Sequence, residues 1–394
     1  MIELTQQPRI RPTSGRSEAA PIAFVRRLDW VLLAAAFSLV GYGLWVIAGI
    51  TRYDIPGDES YYVVRQGIAA GIGIAGLIIA AAVPVDLARR HWQLVYGATL
   101  ALMIVVFAAA ETIRGSKRWI DLGFIQFQPS ELGKVLFVLA IAGFLVDRVG
   151  RVTRWRTIFS AIGLGATPIL LVFLQPDLGT ALVYAAALFA VLFFVGVRWR
   201  QLLALLAVGV IGIASVIWLL PGVGIQVLKP YQAARLTLDP GADPGGITYN
   251  LNQSITAVGS GGLTGRGVVE ASQTRLDYLP EHATDFAFAS LAEQRGFVGS
   301  AILLLLYLLV VWRGLRVVTV AGDLYGAVVA GGLVFAFLFQ IFVNVGMAMG
   351  VAPVTGIPLP FVTVGGSSMV ANLVLIGVLQ GIQARGEFAE RKPF

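Results

Sequence analysis

The stretch WVLLAAAFSLVGYGLWVIAGI, from Trp30 to Ile50, contains no charged residue. As a helix rising about 1.5 Å per residue it crosses the roughly 30 Å hydrocarbon layer of a bilayer, where backbone N–H and C=O groups find partners only within the segment. Reading outward, apolar runs of similar length recur near 30–50, 67–85, 94–110, 132–146, 159–175, 178–197, 202–220, 292–312, 324–348 and 367–384. The fold expected is therefore all-α: a polytopic membrane protein with about ten transmembrane helices. Composition agrees. The chain has 394 residues, 57% of them hydrophobic and only 13% charged, with a mean hydropathy of +0.81; soluble domains carry about 25% charged residues.

So few charges exclude a disordered chain and a nucleic-acid-binding surface. The absence of cysteine excludes disulfide frameworks, thiolate zinc sites and cysteine nucleophiles. Two histidines, His91 and His282, are too few for a histidine-rich metal site.

Basic residues are retained on the cytoplasmic side. With the N-terminus inside, the inner segments 1–29, 86–93, 147–158, 197–201, 313–323 and 385–394 hold more than half of the 29 Lys and Arg residues. Both termini are then cytoplasmic. Residues 1–29 and 385–394 read as tails around a membrane domain over 30–384, and the first tail is not a cleaved signal peptide because the apolar stretch after it is too long. Most carboxylates fall on the outer side. So does the longest connection, 221–284, whose length marks a functional loop.

Five segments carry candidate chemistry. The first is Gly115-Ser116-Lys117-Arg118-Trp119-Ile120-Asp121-Leu122-Gly123, followed by Gln128-Pro129-Ser130-Glu131 and Lys134. Three cations on the outer side suit an anionic, phosphate-bearing partner; an Arg118–Asp121 pair and a Glu131–Lys134 pair three residues apart on a helix are the structural alternative. The second, Gln175-Pro176-Asp177-Leu178-Gly179-Thr180, breaks one helix and opens the next, with Asp177 as a cap or a functional acid near the bilayer. The third joins Tyr231-Gln232-Ala233-Ala234-Arg235 to a glycine-rich run from Asn252 to Gly267, suited to close backbone approach or tight turns and matching no nucleotide motif.

The fourth, Leu279-Pro280-Glu281-His282-Ala283-Thr284-Asp285-Phe286, gathers two carboxylates, a hydroxyl and an imidazole at the mouth of an apolar helix. A carboxylate there can serve as general base toward a hydroxyl. Alternatively Thr284 or Asp285 caps the helix, with Ser290 and Glu293 at capping-box spacing. The fifth, from Pro353 to Phe361 and on through Thr363-Val364-Gly365-Gly366-Ser367-Ser368, has three prolines that forbid regular helix at membrane depth; it reads as a cavity-lining segment whose Ser367 end offers free N–H groups to an anion.

Taken in order, GSKRWIDLG with QPSELGK, QPDLGTAL, YQAAR, NQSITAVGSGGLTGRG, LPEHATDF and TGIPLPFVTVGGSS resemble the shape, elongation, division and sporulation (SEDS) family, the RodA and FtsW proteins of bacterial cell-wall synthesis, over about residues 30–384. The wording of 355–360 and of the glycine loop is closer to the RodA branch. The resemblance implies a peptidoglycan glycosyltransferase that polymerises lipid II. Its essential aspartate corresponds to Asp285; the histidine usual just before Thr is replaced by Ala283, with His282 one place earlier.

On that resemblance, Asp285 is the base in an inverting transfer from an undecaprenyl-diphosphate-linked glycan. Lys134, Arg118, Lys117, Glu131, Asp177, Glu281, Thr284 and Ser367 are the candidate substrate-binding residues. Mg²⁺ or Mn²⁺ is the candidate cofactor, with no ligand set assigned and no organic cofactor. The partner expected is a class B penicillin-binding transpeptidase, and the location is the bacterial cytoplasmic membrane with the active site on its outer face. The competing readings are a lipid II flippase and a non-enzymatic scaffold of the wall-synthesis complex.

Overall fold

A computed structural model describes residues 24–109, 118–121, 123, 126–224 and 246–390. All ten apolar runs are helical, here labelled with one further helix: α1 (Trp30–Ile50), α2 (Tyr61–Ala82), α3 (Trp92–Ala109), α4 (Pro129–Val146), α5 (Trp155–Leu174), α6 (Leu178–Phe194), α7 (Trp199–Ala214), α8 (Ile247–Ser260), α9 (Ala287–Val320), α10 (Leu324–Ala348) and α11 (Gly366–Glu390). Among the described residues eight helices are long and apolar enough to cross a membrane, whereas Trp92–Ala108 and Leu178–Phe194 are apolar but shorter. The only strands among them form a small hairpin ahead of α4, pairing Ile120 with Phe127 and Asp121 with Gln126.

Aspartates set several helix starts. Asp29 accepts from the Leu32 N–H of α1, Asp177 from Thr180 of α6 and Asp323 from Gly326 of α10, each satisfying one of the donors a helix leaves open. α4 begins instead with Pro129, whose missing N–H costs nothing in the first turn.

α4 and α11 are the centre of the bundle, each 89% buried over its apolar window, while α7 at 6% lies at its edge. Helix association in lipid is driven by close packing rather than by the hydrophobic effect, so small residues mark the contacts. α2 and α11 show it: a Cβ added at Gly73 would meet the Leu373 side chain at 2.5 Å, and one at Gly377 would meet the Leu77 carbonyl at 2.3 Å.

The 221–284 connection is not simply a loop in its described part. α8 packs on α9 and α10, with Ser254 Oγ donating to the Ala348 carbonyl. The glycine-rich run after it docks on a break in α9, where Gly296 adopts φ +64°. The chain exchanges main-chain bonds there: Arg266 N–H to Glu293 O, Phe297 N–H to Gly262 O and Val298 N–H to Leu263 O. The glycines therefore allow approach of one backbone to another. Glu293 does not form a capping box; its buried carboxylate accepts from Gln273 N–H, Thr274 N–H and Thr274 Oγ, and so fixes the turn at 272–275.

Candidate active site

The N-termini of α4, α6, α9 and α11 open at one end of the bundle, and the candidate residues collect there. Asp285 lies two residues ahead of α9, whose cap position is Phe286 and carries no side-chain cap. What holds this segment is a set of donors from elsewhere. The carbonyl of His282 accepts from Ser290 Oγ at 3.1 Å, that of Ala283 from Val364 N–H at 2.9 Å, that of Thr284 from Thr363 Oγ at 3.0 Å and that of Asp285 from Asn344 Nδ2 at 3.2 Å. Four successive carbonyls are thus taken by four different residues.

The same donors hold the proline segment. Asn344 also donates to the Ile357 carbonyl at 2.7 Å, and Thr363 Oγ accepts from Leu359 N–H at 2.8 Å. From α2, Gln66 clasps both sides of the turn, donating to Thr363 O and accepting from Gly365 N–H, each at 3.2 Å. The sequence reading did not single out Asn344 or Gln66, and it quoted Thr363 without a role. A carboxamide inside an otherwise apolar helix is itself the signal that would have found Asn344 and Gln66, because it needs partners in lipid.

Glu281 and Thr284 meet within the segment, Thr284 Oγ donating to Glu281 Oε2 at 2.7 Å, with Glu281 at φ +57°. His282 reaches the α1–α2 connection, Nε2 lying 3.0 Å from Asp54 and Nδ1 3.5 Å from Asp277. Burial pulls the imidazole down, but the hydrogen bond and charge of Asp54, the charge of Asp277 and the Leu279 backbone outweigh it, so its pKa is raised.

A second cluster forms around Asp177. Arg118 does not pair with Asp121; its Nε donates to the Gln175 carbonyl at 3.0 Å, another nitrogen donates to the Pro176 carbonyl, and Nη1 lies 3.8 Å from Asp177. Gln128 Nε2 donates to the other Asp177 oxygen at 3.0 Å. Ser367 Oγ accepts from Gln128 N–H and donates to Gln126 O, both at 2.7 Å, which fastens the hairpin to the start of α11. The two clusters adjoin: a Cβ at Gly179 would meet the Thr355 carbonyl at 2.5 Å and the Ile357 side chain at 2.7 Å.

Glu131 and Lys134 make no side-chain bond to either cluster among the described residues. They pair at 2.8 Å with side chains 1% and 8% exposed, beside a small cavity lined also by Gln340 and Asn372 between α4, α10 and α11. Glu131 Oε1 and Gln340 Nε2 are buried there without a hydrogen-bond partner. Lys117 and the segment Tyr231–Arg235 lie outside the described residues. Among the described residues, no three His, Asp or Glu side chains converge to hold a metal ion.

Comparison with known proteins agrees with this architecture. The chain is 36% identical to the peptidoglycan glycosyltransferase MrdB of Escherichia coli K12 over 357 residues, covering 90% of this chain and 93% of that one. It is 35% identical to stage V sporulation protein E of Bacillus subtilis over 364 residues, covering 90% and 96%. The fold superposes on a chain of a solved peptidoglycan synthase complex that coordinates polymerization and crosslinking, with TM-score 0.75, 29% identity and 93% and 99% coverage. It also matches the rod shape determining protein RodA of Thermus thermophilus, with TM-score 0.65, 27% identity and 90% and 96% coverage. The family model described as cell cycle protein, FtsW/RodA/SpoVE, matches residues 28–387, and the chain belongs to that family.

Proposed function

We propose that this chain is a peptidoglycan glycosyltransferase serving cell shape and elongation, which polymerises lipid II with Asp285 as general base. The acceptor's sugar 4-hydroxyl attacks the anomeric carbon of a glycan joined through diphosphate to undecaprenol. The new C–O bond forms as the bond to diphosphate breaks, the proton passes to the Asp285 carboxylate, and the diphosphate leaves with the electron pair. The anomeric centre inverts to a β-1,4 linkage. A single displacement requires one base and a stabilised leaving group, not the second carboxylate of a retaining glycosidase.

The observation that carries the reading is the capture of four successive carbonyls at His282–Asp285. It holds the base on irregular backbone with the rigidity a near-attack geometry demands. The leaving diphosphate is drawn by the neighbouring helix N-termini, with Arg118 and Ser367 beside them and Lys117 as a further cation. Glu281 and Thr284 orient the acceptor, and Asp177 holds Arg118 in place. Mg²⁺ or Mn²⁺ remains a proposed assistant to the diphosphate; no step is routed through it.

The relatives' association of polymerization with crosslinking supports a class B penicillin-binding transpeptidase as partner. The distribution of Lys and Arg supports cytoplasmic termini and a site on the outer face of the bacterial cytoplasmic membrane.

The test is purified full-length protein with fluorescent lipid II. Asp285→Asn retains shape but cannot take the proton, so it abolishes polymer formation while thermal unfolding stays near wild type. A variant polymerising at near wild-type rate refutes the base assignment. Translocation of lipid II without polymer, in either protein, makes the chain a flippase instead.

A further inference from the structure

At the end of the bundle opposite Asp285, two connections come together. The 147–154 segment after α4 and the 195–198 segment after α6 are joined by Gln201, whose Nε2 donates to the Thr153 carbonyl at 2.8 Å. Together with the first turns of α5 and α7 they present Arg148, Arg151, Arg154, Arg156, Arg198 and Arg200, all exposed. Arg148 is held in place, with its guanidinium 4.1 Å from the Phe144 ring centroid and Nη1 donating to the Phe144 carbonyl at 2.9 Å.

Among the described residues none of the six pairs with a carboxylate. Asp147, the one acid in these connections, is engaged by Arg89 at 3.3 Å. Two tryptophans stand among the arginines, Trp155 at 45% and Trp199 at 68% exposure, and Trp155 stacks on the exposed Phe159 with ring centroids 5.5 Å apart.

We propose that this surface binds the phosphate headgroup of an anionic phospholipid, independently of the glycosyl-transfer site. The charge fits a phosphodiester, because arginine offers forked donors that match phosphate oxygens. The tryptophans fit the headgroup level, where an amphipathic ring has one wet and one apolar side. An acidic protein would satisfy the arginines but would leave Trp155, Trp199 and Phe159 uncovered. The positive-inside rule accounts for scattered cations; it does not require six on two neighbouring connections with aromatic residues interleaved.

The experiment places full-length protein in nanodiscs containing brominated phosphatidylglycerol or brominated phosphatidylcholine and reads quenching of tryptophan fluorescence. A basic residue near an anionic surface contributes about fivefold in affinity, so the glycerol lipid is preferred by at least tenfold. Combined Arg151→Gln, Arg154→Gln and Arg198→Gln brings the preference close to one, the three Arg→Lys changes retain most of it, and Trp155→Phe with Trp199→Phe removes the preferential signal. Equal quenching by both lipids overturns the proposal, as does a preference that survives the glutamines. So does displacement of the lipid by millimolar inorganic phosphate or by polyglutamate, which would make the surface a free-phosphate or an acidic-protein site.

Discussion

Asn344→Ala is the perturbation that most directly tests how the catalytic segment is held. The side chain is fully buried and its Nδ2 bonds two carbonyls, Asp285 at 3.2 Å and Ile357 at 2.7 Å. In the membrane such bonds average only about 0.6 kcal/mol, and about 1.7 at most. Leaving the two carbonyls unsatisfied costs more, about 1–3 kcal/mol each. The fold keeps Ser290, Thr363 and Val364 on the three preceding carbonyls, so the segment shifts rather than unfolds. A displacement near 1 Å at a reacting group costs about a hundredfold in rate. Expected, then, is a fall in kcat of about 10- to 100-fold with KM changed much less, measured by fluorescent lipid II polymerisation at several substrate concentrations, with thermal unfolding as the control. A well-folded Asn344→Ala protein that keeps half the wild-type kcat refutes the idea that this carboxamide positions Asp285.

Three other outcomes follow from the same geometry. Asp29 caps α1 and pairs at 2.6 Å with Arg313 of α9, its side chain wholly buried, so Asp29→Ala leaves a guanidinium uncompensated and destabilises by about 3–5 kcal/mol; an unchanged unfolding temperature in detergent would refute this. The raised pKa of His282 means that its charged pair with Asp54 stabilises the folded state fully below the ordinary histidine value near 6.5 and is lost as pH rises through the higher folded value. Hydrogen exchange in residues 51–60 therefore increases over that window, and Asp54→Asn removes the pH dependence; exchange that is flat with pH in the wild type contradicts it. For the Glu131–Lys134 pair, each single change to Met destabilises more than the double change, because one change strands a buried charge. Thermal unfolding of the three variants in detergent reads the order, and a double variant less stable than either single change refutes it.

The helices were legible because lipid allows almost no other use of a long apolar run, and each of the ten runs overlaps a helix, eight of these long and apolar enough to cross a membrane. Their ends were less so. The second run begins at Tyr61 rather than near 67 because Tyr61, Arg65 and Gln66 are polar on the sequence scale yet find partners: Arg65 donates to the Tyr61 hydroxyl and to the Gly123 carbonyl, and Gln66 clasps 363–365. Polar residues also hid the folded nature of the 221–284 connection, where α8 owes its position to Ser254 and to apolar contacts on one face. At the site, local pairs such as Glu131–Lys134 and the Asp177 cap followed from spacing alone. The long-range ones did not. An Arg118–Asp121 pair was the structural alternative for that segment, but Arg118 reaches across 57 residues to Gln175, and nothing in local sequence announces that Asp285 and Asn344 will meet.

The arrangement also resolves a conflict between topology and chemistry. On the proposed function, a diphosphate-bearing substrate on the outer side calls for positive potential, yet Lys and Arg are disfavoured there because they are retained inside. The described site carries Asp54, Asp177, Glu281 and Asp285, and of its cations Arg118 is committed to the Gln175–Asp177 turn. Helix N-termini supply part of the missing potential without formal charge, each equivalent to about half a positive charge, although at α6 the Asp177 carboxylate already takes one of the open donors. The starts of α4, α6 and α11 are tied into one patch by Gln128 and Ser367, and that of α9 is joined to it through Thr363 and Val364. Four converging helix starts thus offset part of the carboxylate charge at this end, a contribution that topology does not restrict.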